Sequence, residues 1–396
     1  MFRGLGQKAI PLTIGAGLVG SQFWRPSNSD PTLNVQASKY ASCDESNVEE
    51  GLTTKKMYFY KAPVGNMVAK TDRNVLLTLP QSRTLGKDVA KLLHLPPGGL
   101  TVSKFKDGET SVKVDASVRG KDVFVLSSTT TNDSIIETLL TISTLRRASA
   151  KSICAIIPYY GYGRLDMKRK REPIAAADIA IMLESMGVDS VILMDIHNDS
   201  VSGFFNLNIP VDNLETGPVA AAFFNEQLEG DKQVVVVAPH EGQVNRASDF
   251  RKRFQQLAGV EVPLVFVSKT RQSPGEVVPV KELIGDVRGK TCIIVDDIVD
   301  SGNTLTSNVK LLKEKGAAKV YAYATHGLFT ASGGGRGLEK HLDGLEYLLV
   351  TNTVYHEKGE LGDKIKQLSV APLLAEAVAR TVAKRSISGI LNVEKD

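Results

Sequence analysis

From residue 73 onward, short β-branched apolar runs alternate with longer stretches of helical periodicity. The order is NVLLTL then DVAKLLHL, KDVFVLS then SIIETLLTISTLRRA, KSICAIIP then AAADIAIMLESMG, and finally SVILMDI. Runs of strand length alternating with stretches of helix length predict βαβ units around a parallel sheet. The second half repeats the theme with QVVVVAP, VPLVFVS, KTCIIVDD, SNVKLLKEKGA and KVYAYATHG. The strands are apolar on both faces, as a sheet covered by helices on each side requires. Two α/β domains of similar build are therefore expected, at 73–214 and 215–396, with the boundary near Leu214 just after the VDN stretch. The length allows each of them a core of its own.

Residues 1–72 break this pattern. Gly, Ser, Asn and Pro are frequent there, and no long apolar periodicity follows residue 20, so a poorly ordered extension is predicted. Arg3, Lys8 and Arg25, with no acid before Asp30, resemble an organelle transit peptide, while the run AIPLTIGAGLVG is too short to span a bilayer. An untargeted tail explains the composition equally well, so a cytoplasmic location and an organelle destination both stay open. Hydrophobic residues at 42% and charged residues at 23% are globular values and exclude a membrane protein. The net charge of +4 is a small remainder of 48 basic and 44 acidic residues, too balanced for a nucleic-acid binder. Cys43, Cys154 and Cys292 are far apart and odd in number, which argues against a disulfide framework and against zinc.

The strongest local signal is CIIVDDIVDSGNTL, residues 292–305: a buried strand, two acids, a loop of small residues, then a helix. In a doubly wound sheet, ligands sit beyond the carboxyl ends of the strands, where the next helix points its N-terminus. Asp300, Ser301, Gly302, Asn303 and Thr304 fall where backbone N–H groups and hydroxyls can surround a phosphate. Asp296 and Asp297, at the strand tip, are poor phosphate ligands but good acceptors for neighbouring ribose hydroxyls. A plain helix cap would need only one of these residues. Together they resemble the phosphoribosyl-pyrophosphate signature shared by phosphoribosyltransferases and pyrophosphokinases.

From residue 73 to the C-terminus the chain resembles the ribose-phosphate pyrophosphokinase family almost collinearly. The resemblance implies an α/β fold of two phosphoribosyltransferase-like domains, each a mainly parallel sheet flanked by helices, with the last helix able to pack back on the first domain. It implies transfer of the pyrophosphoryl group of ATP to ribose 5-phosphate, with Mg²⁺ as cofactor. FKDGETSVKVDASVRGKDVFVL resembles the family's nucleotide-edge segment, which places Phe105, Asp107 and Glu109 at the adenine of an ATP held by a neighbouring subunit. IPYYGYGRLDMKRKREPIAAADIA is similar to its ATP loop, with Arg164 and Asp166 at matching positions, and the basic cluster 168–171 suits a triphosphate.

DIHNDSVSGFFNLNIPVDN resembles the metal and substrate signature. Asp195 and His197 are two residues apart, so in an extended strand they share one face, as two ligands of one metal would. In the family this histidine helps to bind the Mg²⁺ attached to ATP, and Asp212 matches a further acidic position. VSKTRQSPGEV matches the catalytic loop, whose lysine and arginine fall on Lys269 and Arg271. Paired cations supply the electrostatic stabilisation that phosphoryl-type transfer needs. A homo-oligomer, dimer or hexamer, follows from the adenine contacts between subunits.

Several positions depart from the family's pattern. In APHEGQVNR, His240 stands in an acid's place and Gln243 where a second glycine belongs, with Glu241 one residue along. Leu165 replaces an amide, and SSTTTND replaces a glycine-bearing loop. These departures raise a second hypothesis, a weakly active or non-catalytic paralogue that assembles with an active homologous subunit. A phosphoribosyltransferase would explain residues 292–305 alone.

Overall fold

The computed structural model describes residues 73–390 apart from 97, 169, 271–279 and 358. The extension expected at 1–72 lies outside the described residues. The chain starts with β1 (Asn74–Thr78) and α1 (Arg83–Leu92), then forms an antiparallel hairpin of β2 (Leu100–Lys104) and β3 (Thr110–Val114). Next come β4 (Asp122–Leu126), α2 (Asn132–Arg147), β5 (Ser152–Ile157), α3 (Ala175–Met186), β6 (Ser190–Met194) and β7 (Val211–Leu214). The second half continues with α4 (Gly217–Gln227), β8 (Val234–Ala238), α5 (Val244–Ala258), β9 (Leu264–Thr270), β10 (Val280–Ile284) and β11 (Thr291–Val299). It ends with α6 (Asn303–Glu314), β12 (Lys319–Gly327), α7 (Gly335–Glu339), β13 (Leu348–Thr351), β14 (Ile365–Leu368) and α8 (Ala371–Val382).

Five strands form a parallel sheet in the order β1-β4-β5-β6-β7. Seven form a second sheet in the order β10-β9-β8-β11-β12-β13-β14, parallel except for β10, which returns antiparallel along β9. Each apolar run read as a strand forms one, because its β-branched residues fill both faces of a covered sheet. The helix ends follow local chemistry. Thr131 and Ser134 cap α2 reciprocally: the Ser134 N–H donates to Thr131 Oγ1 at 3.1 Å, and the Thr131 N–H donates to Ser134 Oγ at 2.9 Å. α3 and α5 stop on Gly187 and Gly259 at φ 97° and 69°, where a side chain would be strained.

The sequence assigns each half its own core, and the structure adds one common to both. Leu76, Phe124, Ile156 and Met194 of the first sheet belong to the same apolar cluster as Val236, Ile293, Val295 and Tyr323 of the second. Between them lie Val89 of α1, Phe223 and Phe224 of α4, Phe250 and Phe254 of α5, and Leu374 of α8. Burying one such side chain is worth roughly 1.5–3 kcal/mol, so this shared layer is a principal tie between the sheets. The outer faces carry separate clusters, around Val125 and Ile153 on the first sheet and Val235 and Ile294 on the second. The last helix, α8, lies against α1. No helix among the described residues is long and apolar enough to cross a membrane.

Candidate active site

β11 outruns its neighbour β8. Its pairing with β8 stops at Ile294↔Val237, while its pairing with β12 goes on to Val299↔Gly327. Asp296 and Asp297 thus lie at the open mouth of the sheet, beyond the last β8 partner. The turn that follows reaches α6 through Gly302, which takes φ 75°. A Cβ there would stand 2.0 Å from Leu338 Cδ1, so only glycine lets the turn close over α7. No side chain caps α6. Ser301 and Asn303 are exposed at its N-terminus, and the first-turn N–H groups there suit an anion.

Asp300 faces the other way. Its Oδ1 accepts from the Thr330 N–H at 3.1 Å, the Thr330 hydroxyl at 2.6 Å and the Ala331 N–H at 3.4 Å. Its Oδ2 lies 3.5 Å from Arg164 Nη2, which comes from the first half of the chain. Although burial works against its charge, these donors and the guanidinium hold the Asp300 carboxyl below the usual range. Asp300 braces the turn before α6 and reaches Arg164, a role suited to a carboxylate, which would repel an anion at that turn.

Five side chains form a hydrogen-bonded chain between the sheets. His197 Nδ1 lies 2.5 Å from Asp297 Oδ2. Asp297 Oδ1 accepts from Gln243 Nε2 at 2.8 Å, and Gln243 Oε1 accepts from Arg246 Nε at 3.2 Å. Arg246 Nη1 then donates to Asp195 Oδ1 at 2.7 Å, and its Nη2 to the Ile196 carbonyl at 2.9 Å. The hydrogen bond that the ring donates to Asp297 raises the His197 pKa against the effect of burial. For Asp297, burial acts upward, but the His197 hydrogen bond and the charges of His197 and Arg246 outweigh it and keep the carboxyl ionised well below the usual range. Burial, with the charge of Asp297 next in size, pushes the Asp296 carboxyl up. The ionised Asp297 accepts, so His197 Nδ1 donates in this bond and Nε2 takes no part in it. A third of the His197 side chain is exposed against 5% for Asp297, so a ligand from solvent meets the ring first.

The structure separates Asp195 from His197. β6 ends at Met194, and Asp195 takes φ 43°, so the extended spacing that would put both on one face is lost. Asp195 turns inward and is 3% exposed. Besides Arg246 it accepts from the Thr216 N–H at 2.8 Å, from the Thr216 hydroxyl, and from the Thr325 hydroxyl at 2.9 Å. Asp212 is paired with Ile192 inside the sheet, and burial pushes its carboxyl up. Among the described residues neither is hydrogen-bonded to His197, whose ring partner is Asp297. Asp166 is 9% exposed, and its charge adds to the rise at His197.

Phe105, Asp107 and Glu109 form the tip of the β2–β3 hairpin. The Phe105 N–H donates to the Glu109 carbonyl at 2.8 Å, the Glu109 N–H to Asp107 Oδ1 at 3.1 Å, and the Phe105 ring is 57% exposed. Lys269 lies near the end of β9, at the same carboxyl edge as Asp296 and Asp297. Its side chain and all of Arg271 lie outside the described residues. Glu241 is held by Ser268, whose hydroxyl donates to Oε1 at 2.5 Å, and so sits beside the end of β9.

Gln243 and Arg246 are the site residues that the sequence did not assign. Gln243 was visible only as an oddity in a glycine's place. Arg246, one helical turn on, carried the signal of i,i+3 spacing at the start of a helix that follows a strand tip. For a metal, the described residues hold no group of three or more His, Cys, Asp or Glu placed to bind an ion. Magnesium takes oxygen ligands, water and substrate phosphates. The donors at the mouth, Asp296 and the His197 ring, fit only an ion that arrives with most of its ligands already supplied by a phosphate group.

Comparison with known proteins is consistent over both halves. A family model for the N-terminal domain of ribose phosphate pyrophosphokinase matches residues 74–187, and one for the phosphoribosyl synthetase-associated domain matches 261–392. A ribose-phosphate pyrophosphokinase of Nitrosomonas europaea is 40% identical over 326 residues, 81% of this chain and 98% of that relative. Ribose-phosphate pyrophosphokinase 1 of Streptococcus agalactiae is 39% identical over 329 residues, 81% of this chain and 97% of its own length. The crystal structure of phosphoribosylpyrophosphate synthetase from Mycobacterium smegmatis superposes with a TM-score of 0.71 at 36% identity, covering 79% of this chain and 100% of that one.

Proposed function

The chain belongs to the ribose-phosphate pyrophosphokinase family, and on that premise we propose that its crevice moves the β,γ-pyrophosphoryl group of ATP onto the C1 hydroxyl of ribose 5-phosphate. The sugar's 5-phosphate rests on residues 301–304, where the N–H groups and dipole of α6 favour an anion. Its ring hydroxyls meet the Asp296–Asp297 pair. The nucleotide lies on the opposite wall, with Arg164, Asp166 and His197 toward its triphosphate. Mg²⁺ bound with the nucleotide would neutralise and orient the phosphates, held on the protein side by His197. The sugar O1 loses its hydroxyl proton to solvent as it forms a bond to the β-phosphorus, the bond from that phosphorus to the α-bridging oxygen breaks, and AMP leaves with that oxygen. Lys269 and Arg271 stabilise the charge that spreads over the transferring group.

One observation carries this reading: Arg164 reaches Asp300 and His197 reaches Asp297 at the same mouth, so the nucleotide wall and the sugar wall stand within side-chain reach of each other. The exposed hairpin tip with Phe105, Asp107 and Glu109 serves the adenine in a neighbouring copy, which makes the working form a homo-oligomer, dimer or hexamer. The reading places the protein in the cytoplasm, with the N-terminal extension as the segment that could redirect it.

A second reading rests on Asp297 itself. Both of its oxygens are already engaged, one by a glutamine where the family has glycine, which suits a weakly active paralogue working beside an active subunit. Pure protein incubated with ribose 5-phosphate, ATP and Mg²⁺ decides between them. AMP release by the protein alone supports the enzyme, whereas release only after a homologous subunit is added supports the paralogue.

A further inference from the structure

The two neighbouring acids of β11 have different surroundings. Asp297 is 5% exposed at its side chain, with one oxygen on His197 and the other on Gln243. Asp296 is partly exposed; its Oδ1 accepts from the N–H of the next residue at 3.0 Å, and its carboxyl neighbours that of Asp297, but it bonds neither His197 nor Gln243. The amide of Gln243 can sit only one way round. Its nitrogen faces a carboxylate and its oxygen faces the Arg246 guanidinium, so its donor is committed to Asp297. Gln243 is itself 5% exposed, which leaves water little access to take over either bond. Arg246 is anchored in turn on Asp195 and the Ile196 carbonyl, and Ile196 immediately precedes His197. The chain of contacts starts and ends on one loop, so Gln243 holds Asp297 and the His197 backbone in one frame.

We propose that Gln243 is a positioning residue that divides the acidic pair between the two substrates: it holds Asp297 onto His197, on the nucleotide side, and leaves Asp296 as the carboxyl that meets the sugar hydroxyls. This rests on the functional reading above and narrows it at one point, giving the sugar hydroxyls to Asp296 alone in place of the pair. Asp297 then fixes the His197 ring so that Nε2 points toward the nucleotide and its phosphates, and it makes no direct contact with the sugar. A glycine at 243 would leave Asp297 Oδ1 open to the sugar.

The test is binding measured apart from turnover. Gln243→Met keeps the side chain's length and volume but removes both donor and acceptor. Dissociation constants are measured by isothermal titration calorimetry for ribose 5-phosphate, and for a non-hydrolysable ATP analogue with Mg²⁺. The variant is expected to bind the nucleotide about tenfold or more weakly and the sugar phosphate within about twofold of wild type. Asp297→Asn, which keeps shape but loses the charge and one of the two acceptor oxygens shared by His197 and Gln243, is expected to behave alike and answers the question should the first variant not fold. In a His197→Ala background Gln243→Met should cost nothing further. Unchanged nucleotide binding, an equal or larger loss of ribose 5-phosphate, or additive losses in the double variant each overturn the proposal. Wild-type protein that binds neither ligand overturns the functional reading as well.

Discussion

His197 Nδ1 and Asp297 Oδ2 lie 2.5 Å apart although a hundred residues separate them in sequence. The contact joins the loop after β6 in the first sheet to the last part of β11 in the second. It also biases the state of both groups, holding the Asp297 carboxyl low and raising the His197 ring. Beneath it, Arg246 and Asp195 repeat the bridge in a more buried setting. The relative position of the two sheets at this edge thus rests on polar contacts laid over the shared apolar layer.

Asp195→Asn tests that lower bridge. Removing one partner of a buried ion pair leaves the other charge without compensation, at a cost of about 3–5 kcal/mol. Asp195 is 3% exposed and accepts four hydrogen bonds besides facing solvent hardly at all, so urea unfolding of the variant is expected to show a loss of that order without ligands present. Full stability with impaired Mg²⁺ dependence would instead make Asp195 a metal ligand.

Gly302→Ala tests the phosphate turn. The substitution brings a Cβ into a φ of 75° and against Leu338, so strain of about 1–3 kcal/mol must be relieved by moving the turn. The KM for ribose 5-phosphate is expected to rise more than the KM for ATP. Gly289→Ala is the control, since Gly289 has φ 70° but no heavy atom within 4 Å of the added Cβ. Equal effects of the two variants would remove the turn from sugar binding.

Asp300 predicts a pH effect. Its carboxyl is lowered in the fold, so it binds fewer protons than in the unfolded chain. Its stabilisation is complete above the unfolded carboxylate pKa of about 3.9 and is lost as the pH falls through the lower folded value. The stability difference between wild type and Asp300→Asn should therefore be full near neutrality and close in acid, as read from thermal unfolding across that range. A gap that widens in acid would contradict the assignment.

The elements were legible in the sequence where apolar period and length agreed. NVLLTL, KDVFVLS and QVVVVAP could be little else than covered strands, whereas the acids after CIIV, expected at a strand tip, lie within β11, past the end of β8 but before the strand stops at Val299. Helix α4 gave less signal, because GPVAAAFFNEQ is apolar all round and shows no single stripe. The shared core was hidden for the same reason: a residue pattern says that a face is covered but not by which half of the chain. At the site, Asp195 misled because spacing by two implies a shared face only while the strand stays extended, and φ 43° at Asp195 ends it. Gln243 and Arg246 acquire meaning only through partners on other elements, and sequence spacing carries none of that.

Lys269→Ala separates charge stabilisation from binding. β9 brings Lys269 to the carboxyl edge where Asp296 and Asp297 lie. Loss of an electrostatic stabiliser of the transferring group should lower kcat by about 10²-fold or more with smaller changes in either KM. A rate unchanged by the substitution would take the lysine out of the mechanism.

The central claim is intact transfer of a pyrophosphoryl group, and ATP labelled at its γ-phosphorus tests it most directly. With ribose 5-phosphate and Mg²⁺, the label should appear in the sugar product, one equivalent for each AMP released. Label in inorganic phosphate with ADP as the nucleotide product, or no AMP at all, would contradict the account.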